Sequence, residues 1–255
     1  MITKWKVTIP ELTGSEQRFA YAYVPDAYKK NPDARYPVLY MFDGHNIFFD
    51  EDATYGKCWG MKEYLDKTGL PIMVVAVECN HSPDNARLRE YSPFTFTHPD
   101  LGKITGLGPV TMSWLVNTFK PYIDCTFPTL PDREHTFIGG SSMGGLMSLY
   151  GVMEFNHVFS RAAALSPSVW FAENQLARLL ASAPVTPDTV IYMDYGSREL
   201  PFHKNMKLQF GRVAAKLFER GIMVDCRIVP GGNHNEASWE KQIPFFMHTL
   251  LYGID

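Results

Sequence analysis

Gly140-Ser141-Ser142-Met143-Gly144 decides how this chain reads, because it spells G-x-S-x-G between a strand-like run and a helix-like one. The run before it, His135-Thr136-Phe137-Ile138-Gly139, is short, apolar and β-prone. The run after it, Leu146-Met147-Ser148-Leu149-Tyr150, has helical composition and no proline. A serine at so sharp a turn is held clear of both elements, with its hydroxyl facing outward. The flanking glycines are expected because side chains there would clash with the crowded turn. Ser142 is the serine in register, since Ser141 would need glycine at 143 and finds Met143. A dinucleotide loop would need G-x-G-x-x-G and a phosphate loop Gly-Lys-Ser/Thr, and neither is present. The stretch therefore predicts a nucleophilic serine.

Working outward, strand-like runs alternate with helical ones. Trp5–Ile9 and Phe19–Val24 read as an antiparallel pair joined at Thr13-Gly14-Ser15. Pro37–Phe42 and Ile72–Val77 are unbroken apolar runs, as expected of strands covered on both faces. Further strands are predicted at Thr136–Gly139, Ala162–Leu165, Val190–Asp194 and Val224–Val229. Helices are expected at Met61–Lys67, at Thr111–Phe119, and near 143–154, 172–181, 204–219 and 236–251. This predicts a mostly parallel eight-stranded sheet with helices on both faces, the pattern of an α/β-hydrolase fold. No repeat or linker divides the 255 residues, so a single domain over 1–255 is expected, with a loop insertion at about 80–110.

Bulk properties exclude several functions. The net charge of −3 gives no electrostatic reason to expect nucleic acid or an anionic membrane as partner. No stretch approaches a membrane span, and Met1–Pro10 lacks the apolar core of a signal peptide. Cys58, Cys79, Cys125 and Cys226 show no paired spacing, so no disulfide framework is expected. The cytoplasm is the expected location, or secretion if a leader has been trimmed. Assembly into a homo-oligomer is compatible with this composition.

A serine hydroxyl needs a base within reach and a third group to orient that base. In this fold the chain order is Ser, acid, His. Among the histidines after Ser142, His157 follows too closely and His248 falls in the last helix. His203 directly follows the candidate acid segment. His234 sits in Pro230-Gly231-Gly232-Asn233-His234, right after the last strand, and is the expected base. Two carboxylates compete for the acid. Asp194 ends its strand, while Glu199 lies past the turn Tyr195-Gly196-Ser197-Arg198 in a loop able to reach a neighbouring strand end. Glu199 is preferred and Asp194 is the alternative. The oxyanion donors are expected to be the amides of Met143, at a helix N-terminus, and His45, in Asp43-Gly44-His45-Asn46, with Gly44 as fallback.

Together these residues resemble the esterase D-like family of α/β-hydrolases, which includes feruloyl and acetyl-xylan esterases, S-formylglutathione hydrolases, siderophore esterases and mycolyltransferases. The resemblance rests on Tyr36–Phe48, the elbow GGSSMGG, Leu165-Ser166-Pro167-Ser168-Val169-Trp170, the GSRE turn and GGNH with Trp239 behind it, and it runs from about 18 to 250. It implies a nucleophile at Ser142, an acid at Glu199, a base at His234 and oxyanion amides at 45 and 143. Family members often carry Asp as the acid, so Glu199 is a departure that keeps Asp194 in play.

Tyr91, Phe94 and Phe96 of the long aromatic stretch Asn80–Pro109 suggest a substrate wall, with Trp170 and Phe171 from the next strand end, and Gly44 is a further expected substrate-binding residue. Arg87 and Glu90 are expected to pair with each other and anchor that loop. Asp50-Glu51-Asp52 lacks calcium-ligand spacing and no H-E-x-x-H occurs, so no metal and no cofactor are predicted. The expected activity is hydrolysis of a carboxylic ester through an acyl-enzyme, on acylated sugars or small aromatic esters such as feruloyl or acetyl esters. The alternative is an acyltransferase or thioesterase with the same three residues.

Overall fold

The structure is a computed structural model that describes residues 1–199 and 205–254. Its centre is an eight-stranded sheet in the order β1-β2-β4-β3-β7-β8-β9-β10. The strands are β1 (Ile2–Thr8), β2 (Gln17–Tyr23), β3 (Val38–Met41), β4 (Met73–Val77), β7 (Thr136–Ser141), β8 (Arg161–Leu165), β9 (Val190–Gly196) and β10 (Met223–Val229). β5 (Phe96–His98) and β6 (Gly102–Ile104) form a separate hairpin. β2 runs antiparallel to both β1 and β4, and every pairing from β4 to β10 is parallel. This is the α/β-hydrolase fold.

The apolar runs are unbroken because successive side chains enter two different cores. Val38 and Tyr40 of β3 join one cluster, while Leu39 and Met41 join the other. Ala162 and Ala164 of β8 alternate with Ala163 and Leu165 in the same way. The first core holds the helix Met143–Glu154 and residues from Glu173–Ser182 and Met206–Glu219. Met61–Thr68 and Ile243–Leu251 pack into the second, through Met61, Leu65, Phe246, Met247 and Leu250.

Four local features differ from the sequence expectations. The helix foreseen at 111–119 runs from Gly108 to Thr126 with a π-helical turn at Leu115–Phe119. Pro121 has no N–H to give to the carbonyl four residues back, which is where a wider turn costs least. The final helix is two pieces, Glu236–Glu240 and Ile243–Leu251, the second beginning with Pro244 near its N-terminus. The stretch Asn80–Pro109 is not one loop, since it contains the helix Ala86–Glu90 and the β5–β6 hairpin. Arg87 and Glu90 do not pair with each other: Arg87 grips Asp43, and Glu90 binds Arg18 at 2.7 Å. The remaining helix expected from 204 is described from Met206. Among the described residues, no helix is long and apolar enough to cross a membrane.

Candidate active site

Parallel strands present their carboxyl ends on one edge of the sheet, and the loops there carry the chemistry. Ser142 follows β7, Ser166 and Ser168 follow β8, Glu199 follows β9, and His234 follows β10. The oxyanion-loop candidate, Asp43–His45, follows β3 on the other side of β7. Five loops distant in sequence thus meet around one serine.

Ser142 has φ 57° and ψ −120°, a conformation that costs a non-glycine residue on the order of 1–3 kcal/mol. Three bonds hold it there. Its N–H donates to Leu165 O at 2.9 Å, and its carbonyl accepts from Ser168 N at 3.0 Å and Leu146 N at 3.0 Å. The helix leaves the turn against bare backbone. A Cβ on Gly140 would lie 2.9 Å from the Gly144 carbonyl carbon, and one on Gly145 would lie 2.8 Å from Leu165 O. Any side chain at either position would force the elbow open.

The loops after β9 and β10 are stitched to one another. Arg198 N–H donates to Gly232 O at 3.0 Å, and Gly231 N–H donates to Ser197 Oγ at 2.8 Å. These contacts bring His234 Nδ1 to 2.6 Å from Glu199 Oε2. The other carboxylate oxygen, Oε1, accepts from Ser166 Oγ at 2.8 Å and from Gly196 N–H at 2.9 Å. The His234 ring also meets the Trp239 indole edge-on at 5.1 Å, and that indole donates to Ser166 Oγ at 3.0 Å. Glu199 is therefore a buried carboxylate with three donors among the described residues, while the imidazole it grips stays solvent-accessible.

Asp194 does something else. It is 1% exposed and accepts from Tyr192 Oη at 2.7 Å and Ser166 N–H at 3.2 Å. Burial pushes its carboxyl up to about 7, with the Glu199 charge acting in the same direction. No contact joins it to a histidine among the described residues. Of the two carboxylates, the one on His234 is Glu199. His203 lies outside the described residues.

Ser142 Oγ approaches Ser168 Oγ at 3.4 Å and makes no hydrogen bond to His234 in this structure. Both side chains line one cleft of about 500 Å³. Without substrate such a contact is often long and tightens only on binding. The Met143 amide opens the helix Met143–Glu154, and His45 lines the cleft beside Ser142; these are the two amides expected as oxyanion donors. Asp43 has φ 57°, so the chain after β3 turns back sharply. The Arg87 guanidinium holds the Asp43 carboxylate at 2.7 and 2.6 Å, and Tyr91 Oη accepts its N–H at 3.2 Å. Burial alone would raise the Asp43 carboxyl, but the Arg87 pair outweighs it and holds the group below the ordinary range.

Gly44, Tyr91, Phe94 and Trp170, expected to bind the substrate, do not line the cleft that holds Ser142 and His234. Tyr91 is fully buried beneath the Asp43 turn, edge-on to Phe42 at 5.0 Å. Phe94 packs on Tyr150, and Trp170 lies against Phe171. Gly44 serves a close approach instead: a Cβ there would lie 2.9 Å from the Val77 backbone of β4. The cleft is lined instead by polar groups, among them Asn46, Asn80, His81, Asn85, Arg87 and Glu236. Burial raises the Glu236 carboxyl, which sits two residues past His234. Ser166, Ser168, Trp239 and Glu236 were missed as site residues. The first three stood in quoted motifs, but only the convergence of β8, β9 and β10 reveals their contacts.

Fold and geometry define an α/β-hydrolase with a serine at the nucleophile elbow and an imidazole–carboxylate pair on the same rim. The Esterase family profile, described as "Putative esterase", matches residues 13–250, and the chain belongs to that family as a serine ester hydrolase. It is 26% identical over 266 residues to the uncharacterized protein YbbA of Bacillus subtilis (strain 168), covering 97% of each chain. An IroE-like serine hydrolase from Shewanella oneidensis superposes with TM-score 0.76 at 18% identity, over 100% of this chain and 82% of that one. The enterobactin esterase FES from Shigella flexneri superposes with TM-score 0.73 at 16% identity, over 100% of this chain and 60% of that one.

Proposed function

We propose that the enzyme hydrolyses a small, polar carboxylic ester through an acyl-enzyme on Ser142. His234 takes the serine proton as Oγ attacks the carbonyl, and then gives it to the leaving alcohol. Water, deprotonated by the same imidazole, releases the acid and restores Ser142. Glu199 holds the Nδ1–H tautomer and stabilises the imidazolium, while the amides of His45 and Met143 take the oxyanion. The observation that carries this reading is the 2.6 Å bond from His234 Nδ1 to a buried carboxylate that also accepts from Ser166 Oγ and Gly196 N–H, on the same rim as the strained Ser142.

The polar cleft supports an ester rich in hydroxyl groups. An acetylated or feruloylated sugar fits that lining, with residues 80–88 of the inserted stretch as one wall. The proposed unit is the whole chain, working on a dissolved substrate without cofactor. A second reading is a siderophore ester, because an enterobactin esterase shares the fold over this whole chain. Wild type and Ser142→Ala are assayed on p-nitrophenyl acyl esters, methyl ferulate, acetylated xylo-oligosaccharides and enterobactin. The alanine variant should lose on the order of 10⁶-fold in kcat. Turnover undiminished in Ser142→Ala refutes the nucleophile, and cleavage of enterobactin alone selects the second reading. New esters formed with added alcohols would instead mark a transferase.

A further inference from the structure

His45, Cys79 and His81 make a cluster whose side chains the ester chemistry does not use. His45 follows β3 while Cys79 and His81 follow β4, and these strands are parallel neighbours, so their carboxyl ends bring the three together. Cys79 Sγ and one ring nitrogen from each histidine lie within 4.8 Å of one another. The two imidazoles meet edge to face at 4.6 Å. His45 is 3% exposed, and its Nε2 is 3.0 Å from Thr54 Oγ1, whose own N–H donates to Asn46 Oδ1 at 2.9 Å. The other ring nitrogen, Nδ1, is buried with no hydrogen-bond partner among the described residues. Native structures rarely leave such an atom unsatisfied without a reason. Cys79 is buried too.

We propose that His45 Nδ1, Cys79 Sγ and the His81 imidazole bind one borderline-soft divalent transition metal, zinc(II) first, and that filling this site blocks the ester-cleaving cleft. Two imidazoles and a thiolate are the donors such ions select, and three protein ligands with one open position is a stable zinc arrangement. Thr54 is the outer partner that fixes the His45 ring: a proton on Nε2 leaves the Nδ1 lone pair free for the ion. Tetrahedral zinc spaces its ligands about 3.5 Å apart, so the cluster closes by about 1 Å on binding. His81 supplies that movement, as an exposed residue in a turn closed by the Ser82 N–H on Asn80 Oδ1 at 2.9 Å. The ion displaces the Cys79 thiol proton to buffer and both imidazoles bind neutral, so the site gains one positive charge.

All three ligands line the cleft that holds Ser142 and His234. The ion narrows that cleft and ties down His45, whose amide is the proposed oxyanion donor. Only the blocking rests on the esterase reading, and the binding site does not. The test is a cobalt(II) titration of chelator-treated protein, followed by displacement with zinc(II). One equivalent of cobalt per chain should bind with a thiolate-to-metal charge-transfer band, and one equivalent of zinc should remove it. Cys79→Ser should abolish the band. His81→Ala, at an exposed position that keeps the test alive if the serine variant misfolds, should weaken binding at least about 10-fold. Esterase turnover should fall in step with zinc occupancy in the wild type. No band, or binding unchanged in both variants, overturns the site. Stoichiometric zinc with undiminished turnover overturns the block. A chain without esterase turnover still gives the cobalt spectrum, so failure of the esterase reading is told apart from failure of the site.

Discussion

Replacing Glu199 by glutamine changes one atom and reverses one hydrogen bond. The carboxylate accepts three protons: His234 Nδ1–H on Oε2, and Ser166 O–H and Gly196 N–H on Oε1. Glutamine has one acceptor oxygen. The two donors on Oε1 hold that oxygen in place, so the amide NH₂ faces His234. An NH₂ cannot accept from Nδ1–H, and the imidazole satisfies it by moving its proton to Nε2. That places a proton on the nitrogen that has to receive one from Ser142. The same tautomer error in a serine protease costs about 10⁴ in kcat, which is about 5 kcal/mol of barrier at 1.36 kcal/mol per decade. Asp194→Asn, whose carboxylate touches no histidine among the described residues, should stay within about 10-fold of wild type. The assay is kcat and KM on a p-nitrophenyl ester for both variants, with thermal melts to show that each is folded. Glu199→Gln within 10-fold of wild type, with Asp194→Asn down by about 10³ or more, would refute the argument and move the acid to Asp194.

Other outcomes follow from neighbouring contacts. Gly196→Ala puts a methyl 2.5 Å from Glu199 Oε1 and against the Gly232 carbonyl; it should separate the two loops and lower kcat by about 10² with little change in KM, read by steady-state kinetics. Ser166→Ala leaves the Trp239 indole N–H without its acceptor and Glu199 one donor short, and should cost about 1–3 kcal/mol in urea denaturation as well as turnover. Asp194 carries a pH signature. Its folded pKa of about 7 lies above the unfolded carboxylate value, so between roughly pH 4 and 7 the folded state holds a proton that the unfolded state has lost. Stability therefore falls as pH rises through that window, by about 4 kcal/mol at most, and Asp194→Asn should flatten the slope in denaturant titrations at pH 4, 5.5 and 7.5. A slope that persists in the variant would locate the titration elsewhere.

The elbow, the strand series and the order of candidate residues were legible in the sequence because each rests on local chemistry. A sharp strand-to-helix turn demands glycine where backbone meets backbone, and Gly140 and Gly145 stand at those contacts. Two-sided strands demand uninterrupted apolar runs, and the split of Val38–Met41 between two cores shows why. The sequence favoured Glu199 as the carboxylate on His234 but left Asp194 as an alternative. Asp194 and Glu199 are five positions apart on one strand-and-turn, and the choice depends on the bonds between that turn and Gly231-Gly232 in the loop after the next strand. The cleft lining was misplaced for a related reason. Tyr91 and Phe94 are aromatic and sit near functional loops, but apolar rings gain by leaving water: Tyr91 is buried against Phe42 and Phe94 packs on Tyr150, neither lining the cleft. Arg87 escaped its near neighbour Glu90 because the fold offers it Asp43 with both oxygens, a bidentate fit that sequence distance hides. The sequence by itself determined a serine at a strained turn and the strands that carry it. Only the tertiary structure decided which side chains meet there, because contacts between loops far apart in the chain depend on how parallel strands are ordered in the sheet.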